Sequence, residues 1–347
     1  MKKIISFILC VGLTVCLFGC GEEKTTIKVY NAGEYIDTSL ISAFEKENDC
    51  KIIYETFDSN ESMYTKVMSG EKYDVIIPSD YMIERLIKED FLQEIDRSKI
   101  TNYSGIVPEL LSQDFDPEDK YAVPYFWGSV GILYDKTVVS EADLETEGWE
   151  ILKNPKYKDN IYMYDSERDS FMIALKALGY SLNTDKKEEL DAAYNWLLEQ
   201  NEIMNPVYVG DEVIDNMISG NKAMAIVYSG DAAYIMSENE DLGYFEPQQG
   251  TNLWIDGMVI TKACVNTDLA HKFIDFMIRP ENAYSNSEAV GYTSSVQSVY
   301  EEICDTVYAG NNAYTPRQNG SNDEYFRYQD AETKKYSAEL WTKVKSQ

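Results

Sequence analysis

The sequence predicts an α/β protein of two lobes, each a mostly parallel β-sheet with helices on both faces. Three observations carry that expectation. From residue 25 onward, short apolar strand runs alternate with amphipathic helical segments, the βαβ pattern that builds parallel sheets. Two long extended runs, residues 127–134 and 254–260, suit a chain that crosses from one lobe to the other and returns. The length of 347 residues is enough for about two domains of ~150 residues, each with a core of its own.

At the amino terminus, Lys2 and Lys3 precede an apolar stretch over residues 4–18 that ends in Leu17-Phe18-Gly19-Cys20. A membrane-spanning helix needs about 20 apolar residues, so this shorter run with a cleavage-like end reads as an export signal over residues 1–19. Leu at −3, Gly at −1 and then Cys is a bacterial lipobox pattern. Cys20 would carry lipid, and residues 20–26 would tether the protein to the outer face of the cytoplasmic membrane, at the cell surface or in the periplasm. Cys10 and Cys16 leave with the signal. Cys50, Cys264 and Cys304 remain, an odd number without a Cys-x-x-Cys, which allows one disulfide and does not indicate a zinc site.

The elements follow in order. Residues 27–30 form a strand, after which Leu40, Ile41 and Phe44 share one helical face. Residues 51–57 form a second strand, and Asp58-Ser59-Asn60-Glu61 starts a helix. Residues 74–77 read as a buried third strand, with Pro78-Ser79-Asp80 capping the helix beyond it. Ligands in open sheets of this kind bind at the carboxyl ends of the strands, here residues 31–35, 58–60 and 79–81. After the first crossing, a second αβ region spans about residues 135–250. The expected division is residues 27–133 and 257–303 for lobe one, and 134–256 and 304–347 for lobe two, with a loop over residues 311–323.

Composition excludes several chemistries. With 60 Asp+Glu against 31 Lys+Arg and a formal charge of −29, the chain lacks the clustered cations that nucleic acid requires. One His leaves no room for a multi-His metal site or a Ser-His-Asp triad. That residue, His271, lies beside the apolar face of Ala270, Phe273, Ile274 and Met277 and reads as a helix-surface residue. The segment from Asp58 opens like a calcium loop but has Met63 where an EF-hand needs Gly. Walker A and GxGxxG patterns are absent from the sequence, and no cofactor is expected.

What remains is a set of carboxylates among aromatics, in a chain with 27 Tyr, 12 Phe and 5 Trp. Glu34 adjoins Tyr35, Asp169 precedes Phe171, Asp231 follows Tyr228, and Asp256 follows Trp254. The Trp-x-Asp spacing in a strand places both side chains on one face. One can then hold a cation's charge while the other covers its carbon chain, at about 0.5–2 kcal/mol per cation–π contact and about 1.5–3 per charge-assisted hydrogen bond.

These residues carry a family likeness. Val29-Tyr30-Asn31, Glu34-Tyr35-Ile36-Asp37, Thr56-Phe57-Asp58-Ser59-Asn60-Glu61, Tyr73-Asp74-Val75-Ile76-Ile77-Pro78-Ser79-Asp80-Tyr81 and Pro124-Tyr125-Phe126-Trp127-Gly128 resemble segments of the spermidine/putrescine-binding proteins of bacterial ABC importers. So do Trp254-Ile255-Asp256, His271-Lys272-Phe273-Ile274-Asp275-Phe276 and Gly291-Tyr292, and the likeness covers nearly all of the mature chain. The resemblance implies a type II periplasmic-binding-protein fold with two hinge crossings. It also implies a monomeric receptor that closes on a polyamine without altering it and delivers it to an ABC transporter permease. Carried over by position, it implies a ligand site of Glu34, Tyr35, Ser79, Tyr81, Ser166, Asp169, Tyr228, Asp231, Trp254, Asp256 and Tyr292, with Gln329 or Arg327 near the carboxyl end.

The chain departs from the family pattern at three of these places and at Ala32. Ala32 stands where Trp is usual, Tyr228 where Trp is common, Asp169 where many members have Glu, and Ser166 where some have Asp. These changes keep the cation class and leave the choice between spermidine and putrescine open. Two rival readings are another organic cation or metal complex as ligand (thiamine, a betaine), and a carboxylate-pair glycosidase.

Overall fold

The protein is described by a computed structural model covering residues 24–317, 320 and 322–346. The expected export signal and Cys20 lie outside the described residues. The chain opens with β1 (Thr25–Ala32), α1 (Thr38–Asn48), β2 (Cys50–Phe57), α2 (Asn60–Met68), β3 (Val75–Ile76) and α3 (Asp80–Lys88). The long β4 (Ala122–Asp135) leads to α4 (Glu141–Glu147), β5 (Ile161–Tyr164), α5 (Glu167–Ala177), α6 (Lys187–Met204), β6 (Val207–Val209), α7 (Val213–Ile218), β7 (Met224–Tyr228), α8 (Ser229–Glu238) and β8 (Leu242–Phe245). Then β9 (Asn252–Ile260) returns, followed by α9 (Thr267–Met277), α10 (Pro280–Val290), β10 (Thr293–Ser294), α11 (Gln297–Asp305), β11 (Glu324–Tyr325) and α12 (Ala331–Lys345).

The strands run in the order β2-β1-β3-β9-β4-β7-β5-β6. At one end β1 pairs in parallel with β2 and β3, and at the other β5 pairs in parallel with β6 and β7. The expectation of mostly parallel sheets therefore describes the outer strands. The crossing strands are antiparallel, because β9 runs back along the path that β4 took out. β4 serves both halves: its residues from Ala122 to Ser129 pair with β9, and those from Val130 to Tyr134 pair with β7. A strand shared in this way is buried on both faces, and β4 is buried from Ala122 to Tyr134. Besides the two strand crossings, the chain passes between the halves once more after α11. Tyr314 bonds Ser287 there (2.6 Å), while Asn311 and Asn312 donate to the carbonyls of Ala233 and Tyr244.

Local chemistry sets the helix starts. Ser59 and Ser62 form a capping box for α2, and Asp37 accepts from the Ser39 amide at the head of α1. The apolar face of α3 buries Met82, Ile83 and Leu86. Two expectations change. His271 is buried rather than on the helix surface: Nε2 accepts from the Asp96 amide (2.9 Å), and Nδ1 lies 2.6 Å from the Thr267 carbonyl. The short turn at Arg97–Lys99 packs on α9 and covers it. Cys50, Cys264 and Cys304 are all free, so the disulfide that an odd set allowed is not formed among them.

Candidate functional site

The carboxyl ends of β1 and β3 meet the crossing strands where the two halves of the sheet join, and the residues gathered there are aromatic and acidic. Tyr35 stands at the centre. Its backbone carbonyl accepts from Asn31 Nδ2 (3.1 Å) and the Tyr125 hydroxyl (2.7 Å), and Asn286 donates to that hydroxyl in turn (2.8 Å). The loop after β1 is thus pinned from three elements, and the Tyr35 hydroxyl is aimed at Asp256, donating to Oδ2 at 2.6 Å. The Tyr35 ring meets Phe126 and Tyr292 edge-on at 5.2 and 5.5 Å.

The aromatic surface continues into the other half. Trp254 packs edge-on against Tyr292 (5.4 Å) and Tyr228 (6.3 Å), and Tyr228 meets Tyr164 at 5.2 Å. Two glycines let these rings seat against backbone. A methyl group on Gly128 would run into the Trp254 indole and the Ser229 hydroxyl, and one on Gly230 into the Tyr292 ring. Each of two further tyrosines holds an acid: Tyr292 donates to Asp231 Oδ1 (2.9 Å) and Tyr228 to Asp169 Oδ2 (2.9 Å). The pattern occurs three times, with a phenol bonding one carboxyl oxygen and a second aromatic ring edge-on to that phenol.

A fourth carboxyl belongs to Asp80, in the first turn of α3 and 1% exposed. Its oxygens accept from the amides of Tyr81 (2.6 Å) and Ile255 (3.3 Å), so it rests against the strand segment that carries Asp256. Ser79 and Asp256 form a backbone bridge at the same place.

Burial raises all four carboxyls above the usual range. It pushes Asp80 up to about 8; the Tyr81 amide opposes the shift and the charge of Asp256 adds to it. It pushes Asp231 up to about 7 against the Tyr292 hydroxyl. Asp169 and Asp256 move in the same direction for the same reason, tempered by Ser166 and Tyr228 at the first and by Ser79 and Tyr35 at the second. Among the described residues, none of the four forms an ion pair with Lys or Arg; the neighbouring cations Arg168 and Arg327 are paired to Glu61 and Glu84 instead. Asp256 Oδ1 is buried without a hydrogen-bond partner in the protein. A cluster of buried and half-buried acids without a basic partner, walled by rings, is chemically suited to receive a cation with a carbon skeleton.

The cleft rim is built differently. Glu61 on α2 receives Arg168 from α5 (3.2 Å) and Lys334 from α12 (3.0 Å), and the Arg168 guanidinium lies 3.6 Å from the centre of the Tyr81 ring. Glu84 on α3 receives Arg327 through two nitrogens (2.8 and 3.1 Å) and the Tyr328 amide (2.7 Å). Arg327 also reaches Asp114 (2.8 Å).

Of the twelve expected positions, the structure brings Tyr35, Asp169, Tyr228, Asp231, Trp254, Asp256 and Tyr292 into one cluster, with Ser79 and Tyr81 at its edge. Glu34 is not in it. It is exposed on a left-handed turn (φ 50°), one residue before the buried Tyr35. Ser166 caps α5 by accepting from the Asp169 amide (3.3 Å), so it supports an acid of the cluster. Gln329 is half-buried beyond Arg327, whose charge is already spent on Glu84 and Asp114. Sequence reasoning missed Asp80, read only as a helix cap, and missed Tyr164, Arg168 and Glu61. A signal for Asp80 was present, since it lies between two expected site residues.

Comparison with known proteins gives a consistent picture. The profile of the bacterial extracellular solute-binding protein family matches residues 39–313. The chain is 32% identical over 298 residues to the spermidine/putrescine-binding periplasmic protein of Escherichia coli (strain K12), covering 84% of each. It is 27% identical over 365 aligned residues to a putrescine-binding periplasmic protein of Pseudomonas aeruginosa, covering 100% of this chain and 99% of that one. Among solved structures, a spermidine/putrescine ABC transporter substrate-binding protein of Streptococcus pneumoniae superposes with a TM-score of 0.81 at 37% identity, over 93% of this chain and 99% of that one. A putative spermidine/putrescine ABC transporter protein of Listeria monocytogenes gives 0.83 at 39%, over 92% and 99%.

Proposed function

The chain belongs to the bacterial extracellular solute-binding protein family, and from that premise we propose that it captures a polyamine in the cleft between its lobes and hands it to an ABC transporter permease. The observation that carries this reading is the set of four carboxyls, Asp80 and Asp169 buried and Asp231 and Asp256 half-buried, walled by aromatic rings and left without a basic partner. A linear di- or triamine supplies what they lack. Its ammonium groups meet Asp256, Asp231 and Asp169, and its methylenes lie on Trp254, Tyr228, Tyr35 and Tyr292. Ser79 and Tyr81 border the first-lobe end, Gln329 the carboxyl-terminal end, and Ser166 holds Asp169 in place. Glu34 reaches the ligand only if the loop after β1 turns inward.

The lobes divide at residues 27–133 and 257–303 against 134–256 and 304–347. A ligand held by groups of both lobes favours the closed form, because only closure brings Tyr35, Ser79 and Tyr81 of lobe one and Asp169 of lobe two to one molecule. No bond is made or broken in this cycle. Cys20 anchors the exported protein by lipid at the outer face of the cytoplasmic membrane, as a monomer. Isothermal calorimetry with putrescine and with spermidine tests the reading. Binding of at least one in the micromolar range or tighter is expected, and failure of both to bind below millimolar concentrations ends it.

A further inference from the structure

The Asp80–Asp256 end of the cleft holds more acid than one ligand ammonium needs. Asp80 has each carboxyl oxygen on one backbone amide, those of Tyr81 and Ile255, and is closed off from solvent. Asp256, one residue beyond Ile255, has Oδ2 on the Tyr35 hydroxyl and Oδ1 on nothing. With Asp80 closed off from solvent and the charge of Asp256 acting on it, the two carboxyls do not both stay ionised without a cation between them. The charged and titratable groups facing Asp80 do not supply one. Asp256 on β9 opposes its ionisation, and Tyr81 on its own helix and Tyr325 on β11 are phenols. Arg168 on α5 and Arg327 before α12 act only at a distance, each bonded to a rim glutamate.

We infer that Asp80 holds a proton in the ligand-free protein and releases it to solvent when a ligand ammonium settles against the Asp80–Asp256 pair. The exchange balances: one carboxylic acid becomes a carboxylate as one cationic group enters, and the local charge is unchanged. Asp80 thereby becomes a second acceptor whose charge exists only with the ligand bound, so the cleft avoids an unpaired double negative charge when empty. Burial pushing Asp80 up to about 8 fits this placement of the proton at neutral pH.

The inference rests on the polyamine reading, and one experiment separates the two. Calorimetric titration of the protein with putrescine near neutral pH, repeated in buffers of different ionisation enthalpy, counts the protons released per ligand bound. The parent is expected to release close to one proton or more, and Asp80→Asn to release about one fewer. Asp231→Asn serves as a control, because Asp231 also titrates near neutrality and contributes at most a fractional proton. If Asp80→Asn does not fold, Asp80→Thr keeps an acceptor for the Tyr81 amide and carries the same expectation. Binding without proton release, or release unchanged in the Asp80 variants, overturns the inference while leaving the polyamine reading intact. No binding of putrescine or spermidine by the parent overturns the reading itself.

Discussion

The acids inside the cleft and the acids on its rim belong to the same residue class and respond to the fold in opposite ways. Asp80, Asp169, Asp231 and Asp256 are raised by burial without a basic partner. At Glu61 and Glu84 burial also pushes upward, but Arg168 and Lys334 outweigh it at the first, and Arg327 and Lys88 take the second down to about 2. Among the described residues, the interior set has no Lys or Arg partner. The rim set is complete and ties α2 and α3 to α5, α12 and the segment before it. On the proposed function, one set would meet the ligand and the other would hold the lobes together around it.

The largest expected effect that sharpens this contrast is at Asp256. On the proposed function, Asp256→Asn removes a half-buried charge at the ligand and should cost about 2–5 kcal/mol, roughly 30- to several-thousand-fold in affinity. Calorimetry showing a loss below threefold would place the cation elsewhere. Glu84→Gln acts on closure instead and should weaken binding about 3- to 10-fold, through faster release. Stopped-flow fluorescence, with Trp254 in the site as reporter, separates the rates. A slower on-rate with unchanged release would remove the distinction between rim and interior.

The third effect is on stability against pH. Asp80 and Asp231 have folded values above their unfolded ones, so their contribution is full below about pH 4 and is lost as pH rises through about 7 and 8. Glu84 has the opposite sign: its contribution is present above the unfolded value and disappears as pH falls toward about 2. Thermal melts of ligand-free protein should therefore fall between about pH 4 and pH 8 and level off above that, by about 2 °C per kcal/mol for a chain of this size. Asp80→Asn should flatten that fall, and an equally steep curve in the variant would count against the assignment. The smallest effect is at Lys334, which is 40% exposed and shares Glu61 with Arg168. Lys334→Met should change affinity by less than about fivefold, as exposed pairs contribute little; a larger loss would make the rim a single concerted latch.

Much of this was legible in the sequence where a residue's neighbours along the chain determine its surroundings. The β1 and β2 runs, the Ser59 helix start and the Trp254-x-Asp256 face follow from period and capping alone, and the structure bears them out. What could not be read depends on elements far apart in sequence. His271 looked exposed because the turn at Arg97–Lys99 that covers it is more than 170 residues away. Asp80 looked like a cap because its second acceptor role requires Ile255. The rim pairs join residues up to 273 apart. Glu34 fails for a local reason that a motif conceals: the left-handed backbone there leaves it exposed beside a neighbour that is buried.

The position of β9 has a consequence for how the molecule comes into being. It lies between β3 and β4, so the sheet half built from the first strands keeps an open inner edge until Val259 and Ile260, which pair with β3, have been made. Early segments can form helices and the β1–β2–β3 ribbon, but the receptor cannot be assembled in the order in which it is synthesised. Closing loops of that length places the protein among slow, topology-limited folders. The same strand that carries Asp256 is the one whose late arrival locks the two halves together.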